Sequence, residues 1–117
     1  MDVFVGAEYI IANALIALGK NGIDQVRLST LQSFGIKVQR LCIENSIDAV
    51  FLFSADRVSA AVYNFSDYFT FIDSSEEPAI GLNSTAKIED LEKRFIGYLP
   101  IALLKIIINA AQELKAA

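Results

Sequence analysis

The apolar positions of this 117-residue chain fall into runs of three kinds. Some runs are apolar almost all round, some carry one stripe at helical spacing, and some are short and uninterrupted. Residues 3–19 belong to the first kind. At 100° per residue, Asp2, Asn13 and Lys20 share one narrow line with Tyr9 beside it, and Glu8 stands alone elsewhere. A helix so nearly apolar all round is a buried one. Asp2 suits the positive end of its dipole, Lys20 suits the negative end, and GKNG stops it.

The second kind follows. From Thr30 to Asn45, Leu31, Phe34, Gly35, Val38, Leu41 and Cys42 share one face, with Ser29 as a candidate N-cap. Ile36 and Ile43, one heptad apart, sit on the otherwise polar side. The short VRL before this helix is a candidate extended segment.

The run AVFLFS, Ala49–Ser54, is of the third kind and predicts a strand buried on both faces. In ADRVSAAVYNF a helical period gathers Val58, Ala61, Val62 and Phe65. Ser54 would cap that helix and Asp56 would favour its first turn. A hairpin strand is the competing reading. Tyr68–Ile72 predicts a second strand and Ala79–Leu82 a short third one, separated by the polar loop DSSEEP. NST then opens a helix with Ile88, Leu91 and Phe95 inward and i,i+4 pairs Glu89–Lys93 and Asp90–Arg94 outside. Gly97 and Pro100 end it and start another.

In that last helix Lys105, Asn109, Gln112 and Glu113 occupy an arc of about 100°, leaving the larger share of the surface apolar. Lys105 interrupts the stretch and Gln112 and Glu113 close it. It therefore falls short of the roughly 20 apolar residues of a membrane span. It is either the centre of the core or a helix shared between core and subunit interface. The order predicts one α+β domain over residues 1–117, mostly helical, packed around a small sheet of two or three strands. No internal repeat or linker divides it.

Composition sharpens this picture. Apolar residues are 54% of the chain, above the usual share, so buried or interface surface is abundant. Charge is 10 basic against 14 acidic, with no His, which gives no general attraction to nucleic acid or anionic membrane. Cys42 is the single cysteine, which rules out an intrachain disulfide and fits a reducing, cytoplasmic setting. Asp2 and Glu8 stand where a secretory signal carries basic residues, so the start reads as a mature helix.

Candidate chemistry is sparse. With no His there is no Cys–His or Ser-His-Asp arrangement, and Cys42 lies on an apolar face where a thiol is inert. One Cys and no His cannot supply a zinc set, and the six glycines form no phosphate loop. Asp48, Asp56, Asp67 and Asp73 fall at element ends, where caps and turns use them. Ser74, Ser75, Glu76 and Glu77 form an acidic loop that reads as solvated surface. The aromatic run from Phe51 to Phe71 reads as core between sheet and helices, with an apolar pocket as the competing reading.

The expectation is a non-enzymatic interaction module without cofactor or metal. It would form a homodimer through Ile36, Ile43, Leu103, Leu104, Ile107, Ile108 and Leu114 and leave room for a further protein partner. The alternative is a winged-helix-like nucleic-acid binder with Gly35 in a helix-turn-helix and Arg27, Lys37, Gln39 and Arg40 on phosphate or bases. Leu31 is large where such helices cross, and the apolar stripe runs through Gly35 unbroken. Both features favour one continuous helix.

Overall fold

Val3–Gly6 is a strand, β1, and the helix α1 begins only at Ala7 and runs to Gly19. This corrects the single helix expected from residue 3. Periodicity cannot separate the two because every position from Val3 to Ala7 is apolar or glycine. A partner strand decides: β3 (Ala49–Leu52) pairs with β1 in parallel, Val3 opposite Ala49 through Gly6 opposite Leu52. The computed structural model describes residues 3–73 and 77–114. Asp2, assigned above to the helix start, lies outside them.

Between these two strands come β2 (Gln25–Arg27), which takes in Val26 and Arg27 of the expected VRL segment, and α2 (Leu28–Glu44), whose N-cap is Arg27 and not the expected Ser29. After β3 follow α3 (Ala55–Asn64), β4 (Phe69–Ile72), β5 (Ala79–Leu82), α4 (Ile88–Phe95) and α5 (Ile101–Ala111). The α+β class is as expected, with the described strands divided between two small sheets. β1 and β3 form one, and β2, β5 and β4 form the other in that spatial order, antiparallel throughout. β5 is central, paired with β2 on one edge and β4 on the other, and its Ala79, Ile80 and Gly81 are buried accordingly.

The core is built on α1. Ile10, Ile11, Ala12, Ala14 and Leu15 are all sealed from solvent, as a helix apolar all round requires. The other four helices pack about it. Its end follows the GKNG signal: Asn21 and Ile23 donate backbone N–H to the Leu18 carbonyl, and Gly22 takes φ +77°, which a Cβ would disfavour.

α3 is a helix, with Ser54 Oγ accepting from Arg57 N at 3.3 Å and Val58, Ala61 and Val62 buried. The NST segment makes a turn instead of a helix start. Asn83 Oδ1 accepts from Thr85 N and Oγ1, both at 3.1 Å, and its Nδ2 donates to Ser66 O at 2.7 Å. α4 opens five residues later, closed by Asp90 Oδ2 accepting from Lys87 N at 2.9 Å. Asp90 thus serves its helix terminus, while the Arg94 guanidinium lies 5.4–5.7 Å from the ring centres of Phe65, Phe95 and Tyr98. The expected Asp90–Arg94 pair gives way to these partners.

Much of the aromatic run is core. Phe95 is a hub with Tyr9, Phe65, Tyr68 and Phe69 around it at centroid distances of 5.4–5.8 Å, mostly edge to face. Tyr63 and Phe71 stand outside this cluster, exposed.

Candidate functional site

Three places were nominated by the sequence, and the fold treats them differently. α5 contributes Leu103, Ile107, Ala110 and Ala111 to the core, and Leu103 and Ile107 have no exposed surface. These two are corrected from interface to core residues. Lys105 and Asn109 point to solvent, Leu104 and Leu114 are half-buried against the core, and Ile108 is half-buried. A greasy helix in a small protein is therefore largely consumed by α1 and α2.

α2 keeps its two outward isoleucines. Ile36 and Ile43 are 64% and 72% exposed. Ile43 does not stand alone: with Ile47, Ala49 and Val50 it lines a 270 Å³ surface depression where α2 turns into β3. Val50 is in register with Phe4 across the parallel pair, and both point outward, at 38% and 64% exposure. β3 is thus exposed on one face, which corrects the expectation of burial on both. Parallel strands are ordinarily covered on both faces, and among the described residues β1 and β3 form a sheet of their own two strands. Phe4, Val50 and Ile43, with Ile36 two turns back on α2, are the exposed large apolar side chains here, and Ser46 and Asp48 share the depression with Ile43 and Val50. Phe4 was not expected at the surface because residues 3–6 read as helix, and Val50 because Ala49–Ser54 read as a strand buried on both faces. Val3, Phe4 and Val5 are all apolar and carry no alternation to mark a strand, and the parallel pairing that exposes Phe4 is nonlocal.

The basic segment does not make a recognition helix. α2 runs without a break from Leu28 to Glu44, so the helix-turn-helix is absent. Gly35 faces the Phe53 ring, where a Cβ would stand 2.8 Å from Cε1. Its smallness serves packing. At 100° per residue Lys37 and Gln39 stand about 160° apart round the helix. Lys37 forms an ion pair with Glu113, just past the end of α5, Arg40 Nε lies 4.0 Å from Glu44 Oε1, and Arg27 sits in β2. These four side chains do not converge on one phosphate-tracking stripe.

Two further features bear on chemistry. Cys42 is buried and burial pushes its thiol pKa up, which removes the nucleophilic thiolate. Of the acidic loop, Glu77 accepts from Ser29 Oγ at 2.7 Å, while Ser74, Ser75 and Glu76 lie outside the described residues. Among the described residues no three Cys, Asp or Glu side chains converge as metal ligands. No helix among them is long and apolar enough to cross a membrane.

A concavity of 390 Å³ lies between the start of α2 and the end of α5, with Lys37 and Glu113 satisfying each other on its wall. A smaller crevice of 240 Å³ opens between the C-terminal halves of α1 and α5. Its walls are Ile16, Ala17, Ile96, Ile108 and Ala111, and Asn13 lies in its floor. Asn13 is the one buried polar side chain among the described residues, 3% exposed, and its Nδ2 donates to Tyr9 O at 2.8 Å. Comparison of the chain with family models, with curated proteins and with solved structures finds no match.

Proposed function

We propose that this chain is a small interaction module that forms a homodimer through the outer face of the β1–β3 ribbon together with Ile43 and Ile36 of α2. The observation that carries the reading is the in-register outward pair Phe4 and Val50 beside Ile43. Contiguous exposed apolar surface of this kind marks contact sites in small proteins. A two-fold axis would bring two identical patches together, each covering the other's aromatic and aliphatic side chains. Half-buried Leu104, Ile108 and Leu114 have no part in this face.

The module works in a reducing compartment, the cytoplasm. Its support is the lone buried thiol and the absence of any second cysteine.

The test is solution mass by light scattering over a wide concentration range. The chain weighs 12.8 kDa, and the expected species is twice that, reverting to one chain in Ile43→Glu and Phe4→Ser with unchanged circular dichroism. A wild-type protein that stays monomeric up to millimolar concentration refutes the proposal, as does a dimer that both substitutions leave intact.

A further inference from the structure

The crevice between α1 and α5 places a hydrogen-bond acceptor at the bottom of an apolar wedge. The Asn13 amide donates to Tyr9 O, and no other hydrogen bond reaches Asn13 among the described residues. Among the described residues no buried side-chain oxygen or nitrogen is sealed off without a partner. Asn13 Oδ1 therefore opens onto the crevice, at whose floor the residue lies. An acceptor so placed demands a donor, since an unmet polar atom at an apolar site is costly.

The mouth carries the complementary charge. Among the described residues Lys20 is the one charged side chain lining the crevice, and its neighbours on the rim, Asn21 and Gln112, are neutral. Asn13 in α1 and Lys20, the C-cap that continues its turn, are seven residues apart on one line, about 10 Å along the axis. The space between them is walled by aliphatic side chains from α1, α5 and Ile96. Its 240 Å³ would hold about eight waters at liquid density. That is the size of a single-ring molecule.

We propose that this crevice is a binding site for a small apolar carboxylate bearing a hydroxyl at its far end. The hydroxyl donates to Asn13 Oδ1, the ring or aliphatic body fills the wedge, and the carboxylate meets the Lys20 ammonium at the rim. A neutral donor suits the floor, because an ammonium would be desolvated there without a counter-charge. The site shares no residue with the proposed dimer face, so the two ideas stand or fall separately.

The probe is 4-hydroxyphenylacetate, titrated into the ¹⁵N-labelled full chain and followed by amide chemical shifts. Saturable shifts are expected at Asn13, Ile16, Ala17, Ile96 and Ile108, with a dissociation constant of about 1 mM or lower. Phenylacetate, which lacks the donor, should bind about tenfold more weakly. The corresponding alcohol, 2-(4-hydroxyphenyl)ethanol, should bind several-fold more weakly and lose the salt dependence of the acid.

Asn13→Leu should abolish the preference for the hydroxylated acid, and Lys20→Gln the preference for acid over alcohol. Lys20 is exposed, so its variant keeps the test decisive should Asn13→Leu fail to fold. A crevice that serves only to hold water gives no saturable shift, and that result overturns the proposal. Shifts centred elsewhere, or preferences unchanged in the variants, overturn it as well.

Discussion

Gly35→Ala tests the continuous packing helix in a way that separates backbone from side chain. Gly35 sits inside α2, away from positive φ, so alanine suits the backbone. On helix propensity alone the change should stabilise by about 1 kcal/mol. Against this stands the Phe53 ring, whose Cε1, Cδ1 and Cζ would lie 2.8, 3.0 and 3.2 Å from the new methyl. A contact below 3 Å forces the ring to shift. Overpacking of this kind costs about 1–3 kcal/mol. Phe53 is half-buried and can yield toward solvent, which places the cost near 2 kcal/mol. The net expectation is destabilisation by about 1 kcal/mol.

In a Phe53→Ala background the obstacle is gone, and the same substitution should stabilise by about 1 kcal/mol. The coupling between the two positions is then about 2 kcal/mol. Urea unfolding of the four proteins, with the slope unchanged across the cycle, measures it. If Gly35→Ala is equally harmful with and without the Phe53 ring, the close-approach explanation is wrong. A strained or turning backbone at Gly35 would then have to be reconsidered.

Three further outcomes follow from single residues. Ser46 holds φ +56° in the exposed turn between α2 and β3, so Ser46→Gly should raise stability by about 0.5–1 kcal/mol in urea unfolding despite glycine's entropy in the unfolded chain. Because burial keeps the Cys42 thiol protonated in the native state, the unfolded thiol ionises first as pH rises through about 8.5. Stability should therefore be retained below that pH and lost progressively toward the raised native value. Cys42→Ala should flatten this alkaline slope, and Cys42 should react with an aromatic disulfide reagent only as fast as the protein opens. Ile107→Ala should cost about 2–5 kcal/mol, whereas Ile43→Ala should change stability of the monomer by less than about 0.5 kcal/mol. Equal effects would contradict the assignment of Ile107 to core and Ile43 to surface.

Most of the elements were legible in the sequence because their signals are local. The stripe Leu31, Phe34, Val38 and Cys42 gives α2, the all-round apolar run gives α1, and Ser54 before Val58, Ala61 and Val62 gives α3. Capping side chains and a 3.6-residue period need no knowledge of the rest of the chain. The NST turn was harder: Asn83 reaches Ser66, and this distant partner displaces the helix start to Ile88.

Which face each element shows to solvent was a different matter. α1 and α5 are similarly greasy, yet α1 is the centre of the core while α5 keeps Lys105 and Asn109 outside. Composition cannot rank two apolar helices; the number of neighbours around each one does. β1 exists only because β3, more than forty residues away, supplies its hydrogen bonds. The exposed patch at Phe4, Val50 and Ile43 is a consequence of that parallel pairing, and so could not be read beforehand. The crevice at Asn13 lies between these cases. A single polar residue on a buried helix was visible in the sequence, but α5 decides whether its amide meets protein or open space. The sequence determined the elements, whose forces act over a few residues. Tertiary packing decided the surfaces, because exposure belongs to the neighbours a residue acquires and not to the residue itself.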